Sequence, residues 1–164
     1  VNGFDDALRA VRDVGEVTGA GEAAAGLVKR INRAFDGLSP LEPALEAAYL
    51  VWGDPPMAAG RETYIDALMS RCGLRNVCTD PGPRYPTVSE GRLRGWAPRV
   101  VLLSSEPYPF TEAEVAAWTE RLPQASVRLV DGEMFGWYGA RMLEAGPYLA
   151  ALAGDLAADI ETDS

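Results

Sequence analysis

Two carboxylates, Glu106 and Glu133, are embedded among aromatic residues in the stretches Glu106-Pro107-Tyr108-Pro109-Phe110 and Glu133-Met134-Phe135-Gly136-Trp137-Tyr138. A carboxylate pair can divide acid and base work when its surroundings push the two pKa values apart. Nothing nearby supplies the rest of a reaction. Ser104-Ser105 lacks the Gly-x-Ser-x-Gly elbow that exposes a nucleophile. Gly19-x-Gly21-x-x-x-x-Gly26 has no strand before it and the wrong third spacing for a dinucleotide fingerprint. The chain contains no histidine, which removes histidine triads, histidine general bases and histidine-liganded zinc. Cys72 and Cys78, six apart, match neither the Cys-x-x-Cys of redox sites nor a zinc spacing, and read as free or half-buried thiols or as a local disulfide. No catalytic residue, no intrinsic cofactor and no bare metal site is therefore assigned. Any metal is expected to arrive inside a chelator or macrocycle.

The aromatic side chains around those carboxylates belong to four loops that share one composition. They are Trp52-Gly53-Asp54-Pro55-Pro56-Met57, Pro83-Arg84-Tyr85-Pro86, the Glu106–Phe110 stretch and the Glu133–Tyr138 stretch, and together they hold seven of the fourteen aromatic residues. Proline beside a ring limits its freedom, so little entropy is lost when a ligand arrives, which suits a preformed apolar site. Trp52, Pro56, Met57, Tyr85, Glu106, Tyr108, Phe110, Trp137 and Tyr138 are the expected ligand-binding residues. The competing reading is that these rings only pack over the end of a sheet.

To bring four loops together the chain needs a scaffold. Phe4, Leu8, Val11, Val14 or Val17, then Ala24, Leu27, Val28, Ile31 and Phe35 recur at the helical period, predicting one long helix or two nearly collinear ones with a soft point at Thr18–Gly21. After Gly37-Leu38-Ser39-Pro40, short apolar runs alternate with amphipathic segments, the pattern of βα units and a mainly parallel sheet of about four strands. Strands are expected near 47–52, 76–78, 100–104 and 126–130. Helices are expected near 62–72, 88–95, 111–122 and 139–160, with a bend at Gly146-Pro147 and an acidic, frayed end at Asp155, Asp159, Glu161 and Asp163. The division is residues 1–38 as a helical arm and 39–164 as an α/β, Rossmann-like lobe. Ligands of open parallel sheets bind outside the carboxyl ends of the strands, where the four loops fall.

The size, 164 residues, is that of one domain, and the 48% hydrophobic content allows a substantial core. A net charge of −9 opposes nucleic acid and anionic lipid over most of the surface. No apolar run approaches the roughly 20 residues that cross a bilayer. The opening Val1-Asn2-Gly3-Phe4 shows no basic or apolar targeting pattern, so the residues themselves leave the compartment open, the cytoplasm included.

In combination, several stretches resemble the helical-backbone substrate-binding proteins of ABC importers, the group that captures cobalamin, ferric siderophores and haem. "DVGEVTG" is similar to the entry of the backbone helix, and "YLVWGDPPMAAGRETYIDALMSRCGLRNV" to the opening of the second lobe. "RYPTVSEGRL" is similar to that lobe's aromatic-Pro-x-Val-Ser turn, and "VVLLSSEPYPF" and "VDGEMFGWYGAR" to its last two ligand-facing loops. The resemblance runs from Phe4 to Leu152. It implies a long backbone helix followed by a ligand-binding lobe, without a transmembrane segment, capturing a cobalamin-like, haem or ferric-siderophore ligand for an ABC permease. It also implies a periplasmic or otherwise extracytoplasmic, membrane-associated location. Tyr85 takes the place of the ligand-contacting aromatic, and Trp52 to Met57 that of the first pocket loop. The acid that docks on the permease would be Glu90, one residue before the family's usual position, which Gly91 occupies here. The first lobe of that family has no counterpart in this sequence, which implies either part of a longer protein or a half-receptor that completes its cleft with another chain. A non-transport enzyme using Glu106 and Glu133, or a partner-binding lobe of the same architecture, is the alternative.

Overall fold

The computed structural model describes residues 1–162, with side chains through residue 159. The chain is α/β, and its centre is the run Leu45–Gly53, strand β1, apolar on both faces because both are covered. Strand β4 (Val100–Ser104) pairs in parallel with one edge of β1, Ala47 facing Val100 and Leu50 facing Leu103, and β5 (Ser126–Val130) adds in parallel beyond it. The other edge of β1 is shared. Strand β3 (Leu74–Asn76) runs parallel to its first half, and the short β2 (Pro56–Ala58) turns back antiparallel on its second half. The sheet thus has five strands, mostly parallel. The expected four are present, and β2 is the addition.

Alternation along β1 assigns the two layers. Leu45, Ala47, Tyr49 and Val51 face one core, shared with helices α1 (Phe4–Val17), α2 (Gly21–Phe35), α3 (Tyr64–Arg71), α6 (Gly132–Gly136) and α7 (Met142–Thr162). Ala48 and Leu50 face the other, closed by α4 (Glu90–Trp96) and α5 (Glu112–Arg121) through Leu93, Trp118 and Leu122. Leu68, Leu93, Leu102 and Leu103 have no exposed surface. Among the described residues, no helix is long and apolar enough to cross a membrane.

The N-terminal helical segment spans the expected residues, with a different path from the collinear one. Gly19 takes a left-handed φ of 72°, and α2 folds back along α1. At the closed end Gly15 lies so near α2 that a Cβ on it would come within 2.3 Å of the Ala24 Cβ. At the open end the rings of Phe4 and Phe35 meet edge to face at 4.7 Å, with the Arg71 guanidinium 3.7 Å over Phe4. Helical periodicity is the same on either side of the turn, which is why the pattern alone does not reveal the reversal. Helix α7 continues through Gly146-Pro147, and a Cβ at Gly146 would meet the Ala34 carbonyl at 2.2 Å, so glycine lets α7 cross α2 closely. Asp155 and Asp159 are helical; the fraying expected at Asp163 lies outside the described residues. Both cysteines are free and buried.

Candidate functional site

At the carboxyl ends of β1, β4 and β5 lies a cleft of about 440 Å³. Its floor is made by Tyr49, Val51 and Ser104 of the strands, one flank by Trp52, Met57 and Tyr85, and the other by Gly132, Gly136 and Trp137, with Glu106 and Pro107 between. Ile65 of α3 completes the wall. A sheet of parallel strands places its βα loops on one side, so residues 85 positions apart in the sequence share one surface.

A chain of hydrogen bonds holds the floor. The buried Tyr49 hydroxyl donates to Ser104 Oγ at 3.0 Å, and Ser104 Oγ donates to the Glu106 carbonyl at 2.5 Å. Burial pushes the Tyr49 phenol far above its usual range, only partly offset by the Ser104 bond, so it stays protonated and can keep donating. The loops after β4 and β5 are tied together: the Gly132 N–H donates to Ser105 Oγ at 2.9 Å and the Ser105 N–H to the Val130 carbonyl at 2.9 Å. A Cβ at Gly132 would fall 2.5 Å from Ser104 Oγ and 2.6 Å from Glu106 Cγ, so glycine is what allows the Glu106 loop to close over the strand end. The Glu106 carboxylate accepts from the indole Nε1 of Trp137, linking two sides of the mouth.

The flank opposite Trp137 is backed by a row of rings. Trp52 stacks obliquely on Tyr108 at 5.5 Å, and its own N–H donates to the Asp54 carbonyl at 3.0 Å. Tyr108 rests on Gly53, where a Cβ would come within 2.6 Å of its ring, and donates its hydroxyl to Glu114 at 2.9 Å. Tyr85 is carried on a loop stitched to β2 by the bridge between Met57 and Thr87.

Of the nine expected ligand residues, the structure brings Trp52, Met57, Tyr85, Glu106 and Trp137 to this cleft. Tyr108 stands in a second row behind Trp52. Pro56 is engaged in β2, its carbonyl accepting from Val88 N–H at 2.8 Å. Phe110 is elsewhere. At 4% exposure it packs in the core beneath α5, against Tyr108 at 4.8 Å. Its expected role as a ligand wall is replaced by a structural one, because the loop turns inward to start α5. Tyr138 is exposed and lies edge-on to Tyr64 at 6.0 Å, beside a separate apolar cavity of about 400 Å³ between α1 and α2. Phe135, counted among the loop aromatics, is fully buried against Tyr49 at 4.9 Å.

Glu133 does not join Glu106; it pairs with Arg141. Glu90 opens α4 after the capping Ser89 and binds Arg94 at 2.7 Å and Arg121 at 3.8 Å, and is half-buried. Tyr49 and Ser104 were not legible as site residues, since each sits in an apolar strand run. For Ser104 the signal is a hydroxyl at the last position of a fully buried strand, next to the site in this type of sheet; Tyr49, in the middle of β1, carries no such signal.

No protein-family model and no curated protein matches the sequence. Solved structures do match the fold. The chain overlays, over 95% of its length, a possible iron-binding (periplasmic solute-binding) protein from Staphylococcus epidermidis ATCC 12228, with a TM-score of 0.76 and 15% identity. The periplasmic heme binding protein HutB of Vibrio cholerae matches over 88% of the chain with a TM-score of 0.71 and 18% identity. The periplasmic vitamin B12 binding protein BtuF of Vibrio cholerae matches over 94% with a TM-score of 0.67 and 14% identity. The chain spans 63%, 62% and 62% of those three proteins. Its fold is that of the corresponding part of these periplasmic binding proteins, as the residues quoted above lead one to expect.

Proposed function

We propose that this chain is the ligand-capturing lobe, with its helical arm, of a substrate-binding protein serving an ABC importer outside the cytoplasmic membrane. The observation that carries the reading is the cleft at the carboxyl edge of the sheet, rimmed by Trp52, Tyr85 and Trp137 over an apolar floor. Its size and lining suit one face of a bulky, partly apolar ligand such as a corrinoid, haem or a ferric siderophore. Residues 1–38 act as the arm and 39–164 as the lobe. No turnover is required of Glu106 or Glu133. Docking on the permease through Glu90 belongs to the same proposal, and requires the permease to displace Arg94 and Arg121 from that carboxylate.

Trp52 and Trp137 make binding directly measurable. A panel of cyanocobalamin, haem and ferric siderophores, followed by tryptophan quenching and thermal shift, is expected to give saturable quenching by at least one member. At a free concentration of 100 Kd that member stabilises the fold by about 2.7 kcal/mol, roughly 5–10 °C in a domain of this size. Silence across the panel in both readouts refutes the proposal.

A further inference from the structure

The cleft is poor in hydrogen-bond donors and free of positive charge. Each lining side-chain donor has a partner within the protein except one. The Tyr49 proton goes to Ser104, the Ser104 proton to the Glu106 carbonyl, the Trp52 N–H to the Asp54 carbonyl and the Trp137 N–H to the Glu106 carboxylate. Among the described residues only the Tyr85 hydroxyl at the rim is left to donate. The lining holds no lysine or arginine, and the chain has no histidine. The arginines on the bordering loops are engaged: Arg84 donates to the Glu62 carbonyl at 2.7 Å, and Arg141 binds Glu133 and, at 2.8 Å, Glu144.

What the site offers instead is an acceptor. Glu106 is the single acid of the lining and is met only by a neutral N–H, so its charge is not compensated by any cation in the cleft. In an apolar pocket such a carboxylate favours a charged or N–H-bearing donor and repels another anion, the more so because desolvation strengthens both effects. We propose that the cleft selects a bulky ligand that is uncharged or cationic and presents amide or amine N–H groups to Glu106, and discriminates against polyanionic chelates. This rests on the ligand-capturing reading above. On binding, the ligand donor takes the place of the Trp137 indole on Glu106, and the freed ring covers an apolar part of the ligand.

The test uses the 164-residue chain, four probes and isothermal titration. Cyanocobalamin is uncharged with a rim of amides, and ferrioxamine B carries one free ammonium. Haem carries two propionates, and a ferric tricatecholate carries three negative charges. The first pair is expected to bind about tenfold or more tighter than the second, a difference of 1.4 kcal/mol or more. Glu106→Gln keeps the size and an acceptor oxygen and removes the charge. It is expected to weaken ferrioxamine B by about tenfold, weaken cyanocobalamin by less, and improve both anions, with an unchanged urea midpoint. Tightest binding of an anionic probe, or a ratio of cationic to anionic affinity that Glu106→Gln leaves unaltered, overturns the selectivity and leaves ligand capture standing. No binding by any probe overturns both.

Discussion

Phe110 and Tyr108 lie two residues apart in one loop and should respond to truncation to very different degrees. Phe110 is 4% exposed and packs among Leu103, Trp118 and Leu122, so Phe110→Ala leaves a cavity under α5 as well as losing transfer free energy. Such changes cost ~3–5 kcal/mol. With a urea m-value of about 2 kcal/mol/M, the unfolding midpoint falls by roughly 1.5–2.5 M. Tyr108 is half-buried, resting on Gly53 and Trp52 and donating to Glu114. Tyr108→Ala gives up one solvent-accessible hydrogen bond and partial burial, so its midpoint should fall by clearly less than that of Phe110→Ala. The assay is urea unfolding by far-UV circular dichroism, which does not depend on the nearby indoles. Phe110→Leu should recover most of the loss, being closer in volume. A wild-type midpoint for Phe110→Ala, accompanied by loss of quenching by every probe, would refute the placement of this ring in the core and restore it to the cleft.

Two further outcomes follow from titrating groups. Burial raises the Cys72 thiol to about 12 and the Cys78 thiol, where burial is again the leading cause, to about 11, so the native protein at pH 8 should resist iodoacetamide at both and take up two equivalents in urea; rapid native labelling would contradict their burial. Glu114 is pushed up by partial burial but pulled down further by hydrogen bonds from Tyr108 and Thr111, for a net lowering. A carboxyl with a lowered folded-state pKa adds stability above its unfolded pKa, near 4, and loses it as the pH falls through the folded value. The melting temperature of the wild type relative to Glu114→Gln should therefore shrink between pH 6 and pH 3, and a difference constant over that range would show that these bonds do not favour the ionised form.

What the residues disclosed and what they withheld divide along physical lines. Val100–Ser104 reads as a buried strand because its apolar run is continuous and bounded by turn formers, and Glu112–Arg121 reads as a helix because Thr111 and Glu114 mark its start. Strand β2 stayed hidden because it is three residues long and begins at the second of two prolines, a poor strand former held by its neighbours. Helix α6 is a single five-residue turn between glycines, too short for any period to show. The site was legible as a group of loops and not as a set of side chains. Trp52, Tyr85 and Trp137 reach the cleft while Phe110 and Phe135 turn into the core, and all five carry the same aromatic signature in sequence. The difference lies in backbone direction at each loop, which long-range packing decides.

The antiparallel return of β2 gives the cleft two walls of unequal stiffness. On the Tyr85 side the loop is laced to the sheet by main-chain bonds, Ala58 N–H to the Pro86 carbonyl at 3.0 Å, Gly60 N–H to Arg84 at 2.8 Å and Val88 N–H to Pro56 at 2.8 Å. On the Trp137 side the loop is tied at its base by Gly132 N–H to Ser105 Oγ at 2.9 Å, the bonds nearer Trp137 are local, Trp137 N–H to Glu133 at 3.0 Å and Met142 N–H to Gly139 at 3.1 Å, and the reach across the mouth is made by one indole on one carboxylate. The amides of the first wall are expected to exchange more slowly than those beside Trp137, whose ring is held across the mouth by a single side-chain bond. On the proposed ligand-capturing reading, a ligand in the cleft would meet a fixed face on the Tyr85 side and an adjustable one at Trp137.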